Sequence, residues 1–128
     1  MSDRLEQNKQ NVMAFYDMAF NQGKPQQAVE LYVGEDYIQH NPGVPTGKQG
    51  FIDYFNQMAK DYPDSRVEFR RAIAEGDLVV VHTFQDFPGH SQWASMDMFR
   101  VDADGKIVEH WDVLQQIPDE MVHDNSMF

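Results

Sequence analysis

The sequence predicts an α+β domain in which helices come first and an antiparallel sheet follows. Three observations carry this. Apolar residues in the first half recur at helical spacing. From about residue 66 the pattern changes to the alternation of strands. An Asp-Gly pair in "DADG" then marks a hairpin between the last two strand-like runs.

The elements follow in order. Leu5, Val12, Phe15, Tyr16, Ala19 and Phe20 fall on one face of a helix over about 3–22, which "NQG" ends with Gly23 as its cap. Pro25 suits the first turn of a second helix over 25–33. "EDYIQHNPGVPTG" reads as a short extended piece running into a loop. Thr46 and Gln49 have the spacing of a capping box. Behind them Phe51, Phe55, Met58, Ala59 and Tyr62 mark a third helix over 47–61. Strands are expected at about 66–75, 78–87, 91–102 and 106–117, with a tail at 118–128. Four main strands thus pack one face against three helices.

Bulk properties narrow the possibilities. A chain of 128 residues suits one domain with a real core, here spanning 1–128. A net charge of −11 argues against nucleic acid and anionic membranes as partners. No cysteine is present, which removes disulfides, thiolate metal sites and cysteine nucleophiles. The polar start "MSDRLEQNKQN" lacks the apolar core of a signal peptide, and no run approaches the roughly 18 apolar residues of a membrane span. A cytoplasmic protein is the expectation.

One residue stands out within the strands. In "SMDMFR" Asp97 interrupts an otherwise apolar stretch, where burial without a partner is expensive. Alternation puts Asp97, Phe99 and Val101 on one face and Met98 and Arg100 on the other. In the strand before, Val80, His82 and Phe84 share a face. The last hairpin allows two registers. A three-residue loop with Gly105 left-handed sets Asp97 opposite Trp111, with Glu109 on the same face. A two-residue Asp104-Gly105 turn sets Asp97 opposite Asp112. "Ala103-Asp104-Gly105" suits a type I turn followed by a left-handed glycine, so the Trp111 register is the expected one.

"YIQHNPGVPTGKQGFIDYF" and "DMFRVDADGKIVEHWDV" resemble the nuclear-transport-factor-2-like superfamily, most closely its SnoaL-like polyketide cyclases, over about Asn11 to Gln116. The resemblance implies a cone: a strongly curved sheet wrapping helices around a deep, mostly apolar pocket, often dimeric through the sheet. In the cyclases a strand aspartate matching Asp97 moves the protons of an aldol closure, assisted by a nearby histidine, for which His82 is the candidate. In the related ketosteroid isomerases a similar aspartate stays protonated beside a first-helix tyrosine, a place that Tyr16 fits. The isomerase base is an aspartate where this chain reads "QHNP", so His40 or Asn41 stands there. The steroid isomerase reaction is therefore not expected.

The candidate catalytic residues are Asp97, His82, His40 and Tyr16. Asp97 on an apolar wall would have its charged form disfavoured and could carry protons. His82 titrates near neutral pH and suits a relay. Candidate substrate-binding residues are Tyr37, Asn41, Trp93, Phe99, Trp111 and Asp112. Each has a structural alternative: an ion pair of Asp97 with Arg66, Arg70 or Arg71, a core histidine, an Asn-Pro turn, or aromatic packing. The five histidines show no H-E-x-x-H or other strong ligand spacing, so neither a metal nor another cofactor is expected. "GVPTGK" lacks the length and the hydroxyl of a phosphate loop. The expected activity is cofactor-independent acid/base chemistry on a small apolar carbonyl compound. The alternative is a module that binds a ligand or a partner without chemistry. The expected partners are such a ligand and a second copy of the chain.

Overall fold

The computed structural model describes residues 2–128. Three helices, α1 (Ser2–Phe20), α2 (Pro25–Tyr32) and α3 (Lys48–Asp61), accompany five strands. These are β1 (Val33–Gln39), β2 (Arg66–Glu75), β3 (Leu78–Phe87), β4 (Ser91–Val101) and β5 (Ile107–Gln116). The sheet order is β1-β5-β4-β3-β2. Four strands form an antiparallel meander, and β1 joins its edge parallel to β5. β1 is the extended piece after α2. It becomes a fifth strand because the β5 edge offers its backbone partners.

The α1 stripe behaves as its spacing dictates. Val12 and Phe15 are fully buried, and Tyr16, Ala19 and Phe20 nearly so. Gly23 takes φ +66 just beyond α1, a conformation that favours glycine. In α3, Phe51, Ile52 and Phe55 are buried, whereas Ala59 and Tyr62 are exposed. The expected capping box does not form. Gly47 is the N-cap of α3 and no side chain caps it. Gln49 bonds Asp53 instead, and Thr46 ties the loop to β1 through the Gln39 amide at 3.1 Å and the Tyr37 carbonyl. Gly47 N–H also donates to the Tyr37 carbonyl, at 2.9 Å. The loop is therefore held by β1 rather than by the helix it precedes.

The inward face of the sheet presents Val79, Val81, Thr83 and Gln85 from β3, and Ser95, Asp97, Phe99 and Val101 from β4. All eight are buried. The aromatic rings of Phe15, Tyr16, Phe51, Phe55 and Phe99 fill the space between this face and the helices, with centroids 4.6–6.4 Å apart.

The last hairpin corrects the expected register. Its tight end is as expected: Val101 faces Ile107, and Gly105 has φ +78. One step further, Arg100 faces Glu109, so Val108 is an extra residue on β5. This bulge moves the rest of β5 by one position, so that Asp97 faces Asp112 and Met98 faces Trp111. Trp111 and Glu109 therefore lie on the outer face. The three-residue loop is the one its residues favour, but alternation fails across a bulge because one residue is skipped.

Candidate functional site

A cavity lies between the inward face of the sheet, α1, α3 and β1. Its inner chamber has a volume of about 50 Å³, enough for a small functional group. Aromatic rings, among them Tyr37, Phe51 and Phe99, make its walls, while Gln39, Asn41, Gln85, His110 and Asp112 gather on one side. Past Gln85, Tyr54, Met58 and Leu114 the chamber continues into an outer cleft of about 340 Å³, which Tyr62, Phe87 and Trp93 also line.

Asp97 sits behind this chamber and not on its wall. It is fully buried, and each oxygen has a partner. Oδ2 accepts from the Ser95 hydroxyl at 2.6 Å. Oδ1 accepts from the Tyr16 hydroxyl at 3.3 Å and faces His110 Nε2 at 2.9 Å. The sequence offered arginines as alternative partners for Asp97. The structure gives it a histidine, because the bulge brings His110 onto the inward face and Arg71 turns outward.

The hydrogen bonds around His110 define its proton. Gln39 Oε1 accepts the Asn41 backbone N–H at 2.9 Å and so is an acceptor. His110 Nδ1 lies 2.7 Å from the same oxygen and must therefore carry hydrogen. A single further proton then lies between His110 Nε2 and Asp97, as an imidazolium–carboxylate pair or as two neutral groups. His110 Nε2 is also 3.7 Å from Asp112 Oδ2.

Asp112 is the carboxylate that reaches the chamber. Asn41 Nδ2 donates to both of its oxygens, at 2.8 and 3.1 Å. Burial raises the Asp112 carboxyl above the usual aspartate range, against the pull of His110; Asp97 raises it further, and Asn41 opposes. Asn41 also closes an Asn-Pro-Gly turn by accepting the Gly43 N–H at 2.8 Å, so its structural and site contacts coexist.

Three tyrosines line the chamber, Tyr54 at its outer end and Tyr16 and Tyr37 deeper in. Tyr16 donates to Asp97 and accepts from Gln85 Nε2 at 3.2 Å, so its hydroxyl is committed to the protein. Tyr37 is 3% exposed, its ring stacked near His110 and its hydroxyl hydrogen-bonded with the Gln39 side chain. Burial raises both hydroxyls well above the ordinary tyrosine range, so both remain neutral donors.

The candidate histidines lie elsewhere. His82 faces Met96 across the strands and belongs to the outer face, away from Asp97. There Arg71 donates to its Nδ1, and the Phe128 ring covers it at 5.2 Å. Burial, with Arg71 beside it, lowers its pKa. His40 stacks on Trp111 at 4.8 Å and bonds Glu109 at 2.7 Å, also on the outer face. Neither histidine, nor Trp111, lines the chamber. Trp93 lines the outer cleft, its indole N–H donating to Ser91. Gln39, Gln85 and Ser95 are not singled out in the sequence, and His110 stands there only within the dense run Glu109, His110 and Asp112, which alternation splits between two faces. Placing His110 requires the bulge at Val108, for which the sequence carries no signal.

Asp97, His110 and Asp112 could present ligand atoms within 4.8 Å of one another to a metal ion. Their oxygens already accept from Tyr16, Ser95 and Asn41, as suits a hydrogen-bonded acid/base cluster.

Three helices on a curved mixed sheet, enclosing an aromatic cavity with one polar side, define the cone-shaped class of nuclear-transport-factor-2-like proteins. Residues 12–110 match the SnoaL-like domain, and the chain belongs to that family. No curated protein sequence matches it. Among solved structures it is similar to IdmH, a proposed polyketide cyclase from Streptomyces antibioticus: 22% identity, TM-score 0.69, covering 84% of this chain and 91% of that one. A proposed ketosteroid isomerase from Kribbella flavida aligns with TM-score 0.72 at 17% identity, over 93% of this chain and 85% of the other. An LEH-like epoxide hydrolase from M. tuberculosis aligns with TM-score 0.68 at 20% identity, over 87% and 84%. Among the described residues no helix is long and apolar enough to cross a membrane.

Proposed function

We propose that the protein is a cofactor-independent acid/base enzyme acting on a small apolar carbonyl compound, with Asp112 as the group that moves the proton. The observation that carries this reading is the position of Asp112. It is the carboxylate on the chamber wall, with its pKa raised and the His110–Asp97 pair directly behind it.

Asp112 as carboxylate takes a proton from carbon next to the carbonyl. The C–H electron pair becomes a new C=C bond and the carbonyl π pair moves to oxygen. The Tyr37 hydroxyl, on the chamber wall, holds that oxygen. Asn41 orients Asp112, and the His110–Asp97 pair offsets changes of charge on it. A preorganised donor facing a developing oxyanion supplies about 3 kcal/mol. Return of the proton to another carbon gives isomerisation, attack on a second carbonyl gives aldol closure, and loss of a leaving group gives elimination. A wall lined only by apolar groups would have favoured a binding module instead.

The register also sets two carboxylates side by side, which would suit attack of a water on an epoxide. Asp97 is sealed from the chamber, however, so a water would meet Asp112 alone. Proton transfer is the reading we favour.

The test is exchange of the α-protons of 2-tetralone in D2O, followed by NMR. The protein should accelerate exchange over buffer and Asp112→Asn should lose most of the acceleration. Equal rates with and without protein over a panel of cyclic ketones, or an unimpaired Asp112→Asn, would sink the proposal. Hydrolysis of styrene oxide with uptake of labelled water would favour the epoxide reading.

A further inference from the structure

Gln85 sits where the inner chamber meets the outer cleft and lines both. Its side chain is held from one end only. Tyr16 donates its hydroxyl to Asp97, so the Tyr16 oxygen must accept from Gln85 Nε2, which fixes the orientation of the amide. Gln85 Oε1 then points away from Tyr16. Among the described residues it has no hydrogen-bond partner, nor is it among the side-chain atoms sealed without one, where Thr83 Oγ1 alone is found.

Two neighbouring donors are engaged elsewhere. Trp93, directly across the strands from Gln85, gives its N–H to Ser91. The Asn41 amide gives its hydrogens to Asp112. Gln85 as a residue is 4% exposed, and its carboxamide oxygen, fixed in direction, unmet by protein and not sealed, is met by whatever fills the cavity. The rings of Tyr54, Tyr62, Phe87 and Trp93 around the outer cleft suit a flat apolar body.

We infer that Gln85 is a specificity-determining residue that reads a hydroxyl on a planar apolar ligand, at the throat between the reacting group in the chamber and the ring system in the cleft. The inference rests on the cavity as a small-ligand site, in keeping with the acid/base reading, and names the substrate feature that the acid/base residues leave undefined. A substrate with that hydroxyl gains the bond to Oε1. An analogue lacking it covers the oxygen without pairing it, which is how a polar group in a cavity discriminates.

The experiment compares 2-naphthol with 2-methylnaphthalene, matched in shape, the first with an O–H and the second without. Binding is followed by ligand-detected NMR titration. Gln85→Met should weaken 2-naphthol about three- to tenfold, the size of one hydrogen bond. It should leave 2-methylnaphthalene within about twofold, which also reports that the cavity is intact. Comparing variants cancels the difference in hydrophobicity between the two probes. Gln85→Leu, which also lacks the oxygen, should show the same selective loss, so the test stands even where the Met variant folds poorly. Equal weakening of both probes by Gln85→Met, an unchanged preference, or binding of neither probe to the unsubstituted protein would overturn the inference. Asp112→Asn should retain the preference while losing proton exchange, so failure of one reading is separable from failure of the other.

Discussion

Asp97 Oδ1 and His110 Nε2 lie 2.9 Å apart on neighbouring strands, with Asp97 fully buried and His110 6% exposed. The pair joins the middle of β4 to the polar side of the cavity. Its partners reach Ser95 and Tyr16 on one side and Gln39 and Asn41 on the other.

Removing one member should cost far more than a surface contact. Asp97→Ala leaves His110, Tyr16 and Ser95 buried without their shared partner, and should destabilise the fold by about 3–5 kcal/mol. Asp97→Asn keeps the shape and part of the bonding, and should cost about 1–3 kcal/mol. Urea denaturation followed by circular dichroism measures both. Wild-type stability in the alanine variant would show that the network is not structural.

The histidines should separate by face. His82→Gln and His40→Gln, both on the outer surface of the sheet, should leave proton exchange within about twofold of wild type. His110→Ala should reduce it by about 100-fold or more, on the scale of general acid–base contributions. His82 should show itself in stability instead. Its folded pKa is lowered below the ordinary value of 6.5, so the folded state binds the proton less readily than the unfolded one. The stability it confers is present above pH 6.5 and is lost as pH falls toward the folded value. His82→Gln should flatten that part of the curve of melting temperature against pH.

Asp112 has the opposite sign. Its folded pKa is raised above 3.8, so between the two values the folded state holds more protons than the unfolded chain. Stability therefore declines as pH rises through this window, and Asp112→Asn should abolish the decline. The exchange reaction should rise with pH over the same group, since only the carboxylate accepts a proton. Asp97→Asn removes a like charge and should move the midpoint downward. An activity midpoint at the ordinary aspartate value would count against Asp112 as the base.

Gly50 should resist a substitution that helix propensity favours. Alanine in a helix gains about 1 kcal/mol over glycine. Here a Cβ would lie 2.6 Å from the Pro45 carbonyl oxygen and 2.8 Å from the Pro45 Cβ, so the loop must move. We expect Gly50→Ala to lose about 1–2 kcal/mol net in thermal denaturation. Because Val44 of that loop lines the chamber, binding of 2-naphthol should weaken as well.

Much of this molecule is written locally. The α1 stripe from Val12 to Phe20, the Gly23 stop, the switch to alternation and the Gly105 turn each depend on residues close in sequence, and each predicts its own structure. The face shared by Asp97 and Phe99 follows from alternation within one strand. The family pattern over residues 12–110 is legible for the same reason.

What surrounds Asp97 is not written locally. Which way β3 turned was read wrongly for His82, because alternation gives two faces without saying which is inside. β1 looked like a loop entry because a parallel edge strand is defined by its neighbour β5. Above all, the single unpaired residue Val108 sends Trp111 outward and brings His110 and Asp112 in. The sequence by itself determined the helices, the meander and a buried aspartate in β4. Tertiary structure alone decided which residues meet that aspartate. A strand's side-chain period is two, so one extra residue exchanges its faces, and only packing of the whole sheet against the helices selects where that residue goes.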